Sequence, residues 1–187
     1  MFYFLNSLLE LNYNVHYISL NWKNNSSSKL LAEKNIYVHT EYPFSLEVFL
    51  KVNNYFKFVV MSRKDNFSQN YPIIRKYCPR AKIIYFTHDL EHLRINCKET
   101  KKIEISNILN ANNSIIISST EYDYLKSENL EHKISYYPIS YEIPSLIEIS
   151  LKKDIYFVGS LHKPNIEAIQ WFIENVFPKL KNIILHV

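Results

Sequence analysis

Short apolar runs that alternate with helix-like stretches limit the possible folds of this chain more than any other feature. Six runs have the length and composition of buried strands, at residues 13–20, 35–40, 56–62, 82–87, 114–118 and 133–138. Most are separated by stretches with helical character, at residues 45–53, 66–77, 98–110 and 120–128. Strands that alternate with helices predict right-handed βαβ crossovers and a mostly parallel sheet. We therefore expect an α/β fold with a Rossmann-like domain.

The start of the sequence predicts a helix that is already under way at the first residue. Its apolar residues Phe2, Leu5, Leu8 and Leu9 lie on one helical face. A Rossmann domain normally opens with a strand and a tight loop before its first helix. We therefore expect the first strand of the domain to be missing.

The domain organisation follows from a change of pattern after Pro138. Residues 1–138 are expected to form the N-terminal Rossmann-like domain. Residues 139–153, which follow Pro138, contain Pro144 and have no clear periodicity, are expected to form the interdomain connection. Residues 154–187 then begin a second βαβ pattern, in which we expect Trp171 and Phe172 to lie in the core. The second domain has only begun where the sequence stops.

Charge and cysteine content exclude several classes of function. The net charge of +4 is spread along the chain, whereas nucleic-acid binding needs a concentrated basic stripe, so no nucleic-acid partner is expected. Cys78 and Cys97 are too few for a disulfide framework and indicate a reducing cytoplasm. No apolar stretch is long enough for a membrane span, which leaves peripheral contact with the inner face of the membrane as the expected membrane interaction.

The chain contains a single glycine, Gly159, at the end of a predicted strand and shortly before a predicted helix. A glycine there permits a turn with positive φ and lets a ligand approach the main chain closely. The following helix N-terminus offers unpaired N–H groups that favour phosphate. The alternative is a simple strand-to-helix turn without a ligand.

Three segments resemble one family in matching order and spacing. "FVGSLHKPNIEAIQWFIENVFPKL" at residues 157–180 resembles the opening of the C-terminal domain of family 4 (group 1) glycosyltransferases of the GT-B fold. "PRAKIIYFTHDLEHLR" at 79–94 and "SIIISSTEYDYLK" at 114–126 resemble segments of the same family's acceptor-side domain. The resemblance covers residues 78–187.

The resemblance implies two Rossmann-like domains that face a cleft and a retaining glycosyl transfer in polysaccharide or glycoconjugate assembly. The partners it implies are a nucleotide-sugar donor and a glycan or lipid-linked acceptor, with no metal and no cofactor besides the nucleotide-sugar co-substrate. The family's acidic donor motif would lie beyond Val187. The chain is therefore expected to be a fragment that is inactive alone.

The resemblance and the strand pattern together indicate candidate site residues on the acceptor side. His88 and Asp89 follow a predicted strand at its carboxyl end, where open α/β sheets bind ligands, and are the candidates for catalysis through sugar contact or proton handling. Arg94 and Glu121 are the candidates for substrate binding. The structural alternatives are a polar loop for residues 88–94 and a first-turn helix acid for Glu121.

The donor side is assigned to the loop that contains the single glycine. Gly159 is expected near the donor diphosphate, with Ser160, His162 and Asn165 as hydrogen-bond donors. A helix cap is the alternative for Asn165.

Three other functions fit parts of the sequence. "HDLEH" matches the H-x-x-E-H zinc-peptidase signature, with His88 and His92 as ligands and Glu91 as general base, if a helix spans residues 88–92. The chain also suits a non-catalytic remnant or a nucleotide-binding subunit that pairs with a companion chain. A GT-B-fold epimerase is a further alternative, since a fold does not determine its chemistry.

Overall fold

The computed structural model describes residues 2–19, 26–39, 45–138 and 154–187. The chain divides into two compact units, Met1–Tyr141 and Glu142–Val187. The predicted connection at residues 139–153 lies outside the described residues.

The first unit alternates helices and strands, as the pattern of apolar runs predicts. Its helices are α1 (Phe2–Glu10), α2 (Ser26–Glu33), α3 (Leu46–Val52), α4 (Lys64–Tyr77), α5 (Glu91–Ile95), α6 (Lys98–Asn110) and α7 (Ser119–Ser127). Its strands are β1 (His16–Ile18), β2 (Tyr37–His39), β3 (Phe58–Ser62), β4 (Lys82–Phe86), β5 (Asn113–Ile116) and β6 (Ile134–Tyr136).

The strands of the first unit form parallel ladders. β3, β4, β5 and β6 are hydrogen-bonded in that order in a four-stranded sheet, and β1 pairs with β2 in a separate two-stranded sheet. Each of these pairs is parallel. Parallel neighbours need crossover connections, which α4, the pair α5 and α6, and α7 supply within the larger sheet. The predicted α/β fold with a parallel sheet is confirmed.

The core lies around the interior strands of the four-stranded sheet. Ile83 and Tyr85 of β4 and Ile116 of β5 are almost fully buried, and Phe67 of α4 packs against Tyr85 with 5.0 Å between ring centroids. Interior parallel strands are covered on both faces, which accounts for their nearly continuous apolar sequence. Burial of each such side chain stabilises the fold by about 1.5–3 kcal/mol.

A smaller apolar cluster joins the two-stranded sheet to its helices. Leu5 of α1, Leu31 of α2, and Val15 and Ile36 beside β1 and β2 are buried together. Phe4 of α1 also contacts Phe86 at the end of β4, with the ring centroids 5.4 Å apart. The amphipathic start of the sequence therefore packs as the predicted helix.

Asparagine supplies most of the positive-φ backbone in the described residues. Among the non-glycine residues with positive φ, the asparagines are Asn12, Asn35, Asn96, Asn129 and Asn182. The first four lie at or just beyond the ends of α1, α2, α5 and α7, where glycine usually occurs. Asparagine tolerates this conformation better than most residues, which explains how these four helices end without glycine.

The second unit contains one βαβ arrangement. β7 (Ile155–Tyr156) and β8 (Leu185–His186) pair in parallel, and α8 (Lys163–Asn175) lies between them in sequence. The predicted order of strand, helix and strand is confirmed. The expectation of a core position is wrong for Trp171, which is 60% exposed, and for Phe172, which is only partly buried, because no described residue of α8 is buried.

Two leucines offer a matched test of this packing. Leu125 of α7 is fully buried and Leu11 after α1 is 67% exposed. We expect Leu125→Ala to lower the free energy of unfolding by about 2–5 kcal/mol, because it leaves a cavity in the core, and Leu11→Ala to change it by less than about 0.5 kcal/mol. Urea unfolding followed by circular dichroism measures both. Equal effects of the two substitutions would contradict this assignment of the core.

Candidate functional site

The carboxyl ends of β3, β4 and β5 bring polar residues to one edge of the four-stranded sheet. Ser62 ends β3, His88 and Asp89 follow β4, and Ser118 and Glu121 follow β5. Ser62 is in register with Phe86 of β4, so the segments beyond these residues emerge side by side. This edge is where open parallel sheets bind ligands.

His88 is held by a neighbour that the sequence analysis did not identify. A hydrogen bond of 2.6 Å joins Nε2 of His88 and Oγ of Ser62, and the His88 ring packs against Phe86 with 5.3 Å between centroids. Burial lowers the pKa of His88, and the positive charge of Arg63 lowers it further, while Asp89 acts in the opposite direction. His88 is therefore expected to be neutral at pH 7 and able to accept a proton.

Arg63, directly after β3, has an unusual backbone. Its φ of 71° and ψ of 149° lie in a region that is essentially restricted to glycine. Such a conformation costs on the order of 1–3 kcal/mol and is found most often at functional sites. This conformation could not be predicted from the sequence, because glycine is the residue that would indicate it and position 63 is an arginine.

Asp89 and Arg94 are brought together by the short helix α5. Nε of Arg94 lies 3.5 Å from Oδ2 of Asp89, and both side chains are more than half exposed. The pair is therefore accessible to a substrate. An exposed pair of this kind contributes at most about 1 kcal/mol to stability.

Glu121 links the segment after β4 to the start of α7. Its Oε1 accepts the backbone N–H of Leu90 at 2.8 Å, and its own N–H donates to the N-cap residue Ser118. Its Oε2 is buried and makes no hydrogen bond within the described residues. Burial raises the pKa of Glu121, as do the negative charges of Asp89 and Glu104, against the opposing effect of the Leu90 N–H. Glu121 is thus a first-turn acid, as one alternative holds, and its carboxylate also supports the segment after β4 through the N–H of Leu90.

The arrangement that the zinc-peptidase signature requires is not formed. α5 begins at Glu91, so His88 precedes the helix and does not lie one helical turn from His92. The three side chains also have different partners: His88 bonds to Ser62, Glu91 to Lys64 at 2.7 Å, and His92 to Glu104. Among the described residues, no group of three or more His, Cys, Asp or Glu side chains could hold a metal ion.

Gly159 occupies a crowded position in the second unit. A Cβ atom added to Gly159 would lie 3.1 Å from Nδ2 of Asn165 and 3.1 Å from Cε1 of Phe157, which is unusually close. The expectation of a positive φ is wrong, because the backbone of Gly159 is not in that region. Close approach of neighbouring side chains, and not a special turn, therefore accounts for the glycine.

Of the predicted diphosphate-binding residues, Gly159, Ser160 and His162 lie in the loop before α8, and Asn165 lies in the first turn of α8. Asn165 does not cap the helix: its Nδ2 donates to the carbonyl oxygen of Ser160 at 3.1 Å, and the N-cap residue is His162. The backbone N–H groups of residues 159–163 make no hydrogen bond to any described residue. Ser160 and His162 are exposed. Five successive backbone N–H groups without a described partner therefore lie at the N-terminus of a 13-residue helix.

No protein-family model and no curated protein matches the sequence. In the part of the chain that the structure describes, no helix has the length and apolar character needed to cross a membrane. The two groups of site residues are thus defined by their geometry alone: acidic and histidine side chains in the first unit, and backbone donors in the second.

The lowered pKa of His88 makes stability depend on pH in a defined direction. The unfolded chain binds a proton at His88 near pH 6.5, whereas the folded chain binds it only at lower pH, so acidification through this range favours unfolding. His88→Gln removes this titration. We expect the wild type to lose more unfolding free energy than His88→Gln between pH 7.5 and 5.5, as measured by urea unfolding.

The comparison isolates His88, since other titrating groups are common to both proteins. His16 and His39, whose pKa values burial also lowers, contribute equally to the two proteins. A difference in unfolding free energy that stays constant between the two pH values would show that the folded environment of His88 does not disfavour its proton.

Proposed function

We propose that this protein is a retaining glycosyltransferase, which moves a sugar from a nucleotide-sugar donor to a glycan or lipid-linked acceptor in polysaccharide or glycoconjugate assembly. The observation that carries the proposal is the loop at residues 159–163, whose five backbone N–H groups make no hydrogen bond to the described part of the chain. Successive free N–H groups at a helix N-terminus favour phosphate binding. The leaving group of such a transfer is a nucleoside diphosphate.

The sequence around this loop supports the same function. The glycine, Ser160 and Asn165 occur in the segment that resembles the donor-side opening of GT-B glycosyltransferases. The hydrogen bond from Asn165 to Ser160 holds the loop in the shape in which its N–H groups have no partner among the described residues. Developing negative charge on the diphosphate would be stabilised by these fixed donors at little reorganisation cost.

The edge of the first unit suits the acceptor half of the reaction. The attacking hydroxyl must lose a proton, and His88 and Asp89 are the groups that can accept it. Arg94 keeps the Asp89 carboxylate oriented, and Glu121 supports the segment that carries both residues, because its Oε1 accepts the N–H of Leu90. Each group has a role that transfer chemistry requires.

The donor assignment predicts binding of nucleoside diphosphates. We expect uridine or guanosine diphosphate to shift the amide NMR signals of residues 159–163, and the nucleoside without phosphate to leave them unchanged. The side chain in Gly159→Leu would meet Asn165 and Phe157 and shift the loop. Binding should therefore weaken at least about tenfold, the loss expected when one hydrogen bond to a charged group is broken. Val158→Leu is the matched control, because Val158 is 95% exposed. Diphosphate binding without these shifts would place the donor elsewhere.

The acceptor assignment predicts a catalytic loss without a folding loss. In protein expressed from the complete reading frame, Asp89→Asn should reduce the rate of sugar transfer by about 100-fold, the usual contribution of a positioned general base. Its effect on stability should stay below about 1 kcal/mol, because the Asp89–Arg94 pair is exposed.

The control for this variant is Asp123→Asn, which changes an exposed aspartate on α7. Transfer from a panel of radiolabelled nucleotide sugars measures the rates. Unchanged turnover in Asp89→Asn would remove Asp89 from the site. Nucleotide binding by the wild type without any transfer would instead favour the alternative of a non-catalytic nucleotide-binding subunit.

A further inference from the structure

The segment between β4 and α5 carries the candidate catalytic residues, but few local interactions stabilise it or the helix that follows. α5 has only five residues, too few for a helix to persist without external contacts. Its first N–H groups need acceptors, and Leu90, its N-cap residue, has no side-chain oxygen to offer. Two carboxylates from later helices supply them.

Glu104 of α6 is the principal acceptor. Its Oε1 accepts the N–H of Glu91 at 2.9 Å, and its Oε2 accepts the N–H of His92 at 3.1 Å. The Glu104 side chain is almost completely buried, and it accepts a third hydrogen bond from Nδ1 of His92. Glu121 of α7 binds the N–H of Leu90 in the same way.

His92 of α5 links Glu104 of α6 to Tyr124 of α7 by hydrogen bonds. With Nδ1 of His92 bonded to Glu104, its Nε2 forms a second hydrogen bond with the hydroxyl of Tyr124, which lies 3.2 Å away. The hydrogen bonds thus connect α5, α6 and α7 through buried and partly buried groups. A buried acid is weak as a stabilising device, because apolar residues of similar size often stabilise as well or better. Its use here indicates a need for a particular conformation.

We propose that Glu104 and His92 are positioning residues, which hold residues 88–92 in the conformation that presents His88 and Asp89 at the sheet edge. This inference rests on the proposed glycosyl transfer for its functional meaning. Its structural part stands on the hydrogen bonds of Glu104 alone. Neither residue touches the substrate in this scheme.

Glu104→Gln is the informative substitution, because an amide keeps the size of the side chain but replaces one acceptor oxygen with a donor. In protein from the complete reading frame, amide hydrogen exchange at Glu91 and His92 should accelerate at least about tenfold, since each loses or weakens a bond to a charged acceptor. Exchange in β4 and β5 should stay unchanged. The turnover number for sugar transfer should fall while the KM for the donor is retained.

Two further variants separate positioning from general stability. His92→Asn can keep a donor close to the place of Nδ1 and should retain the protection of Glu91 and most of the turnover. His92→Gln can place a donor only near Nε2 and should behave like Glu104→Gln. The control is Glu99→Gln, at an exposed position on α6, the helix that carries Glu104. It should change neither the amide exchange of residues 91 and 92 nor the turnover.

The outcomes distinguish this inference from the function on which it rests. Unchanged exchange at residues 91 and 92 in Glu104→Gln, or faster exchange throughout the sheet, would overturn the positioning role. Locally faster exchange with normal turnover would also overturn it. If the wild type transfers no sugar while exchange accelerates locally, the proposed function fails and the structural support by Glu104 stands.

Discussion

The parallel, in-register pairing of β3, β4 and β5 is the constraint on which the candidate site depends. Ser62 is aligned with Phe86, and Phe86 with Ile115, so the three strands reach the same level at their carboxyl ends. Their continuations must therefore emerge side by side. The ladder extends one step further, because the N–H of Thr87 donates to the carbonyl oxygen of Ile115. Residues far apart in sequence, such as Ser62 and His88, consequently come within hydrogen-bonding distance.

Arg63 at this edge has a more strained backbone than the positive-φ asparagines at the helix ends. The helix ends use asparagine for left-handed residues, at modest energetic cost. Arg63 does not have that tolerance, and its φ of 71° with ψ of 149° must be stabilised by the surrounding structure. The surroundings include the bond from the Arg63 N–H to the carbonyl oxygen of Phe86 and the start of α4 directly after it. The strained residue and the candidate catalytic histidine are thus joined through the same pair of strands.

The sequence predicted those parts of the fold that local patterns determine. The alternation of apolar runs with helices led to the parallel sheet, and the predicted helix at residues 98–110 coincides with α6. α2 was missed because its sequence, SSSKLLAE, has few apolar residues. α5 was missed because its acceptors, Glu104 and Glu121, come from helices that follow it in the chain.

The same distinction applies to the site residues. The positions of His88 and Asp89 at the end of a strand follow from periodicity, since a strand end is visible in the sequence. Ser62 and Glu104 could not be identified in this way, because their partners lie 26 and 12 or 13 residues away and are chosen by the topology. The crowding at Gly159 was likewise invisible, since it depends on where Asn165 and Phe157 lie.

Burial acts on the two kinds of ionisable group at this edge in a consistent way. It lowers the pKa of His88 and raises the pKa of Glu121, so in both cases it favours the uncharged form. Asp89 and Arg94, by contrast, are exposed and form an ion pair. The edge therefore combines two groups whose uncharged forms are favoured with a charged pair that can orient a polar substrate. In the proposed transfer, the acceptor hydroxyl must be held in place and must lose its proton, and the two kinds of group at this edge suit these two tasks.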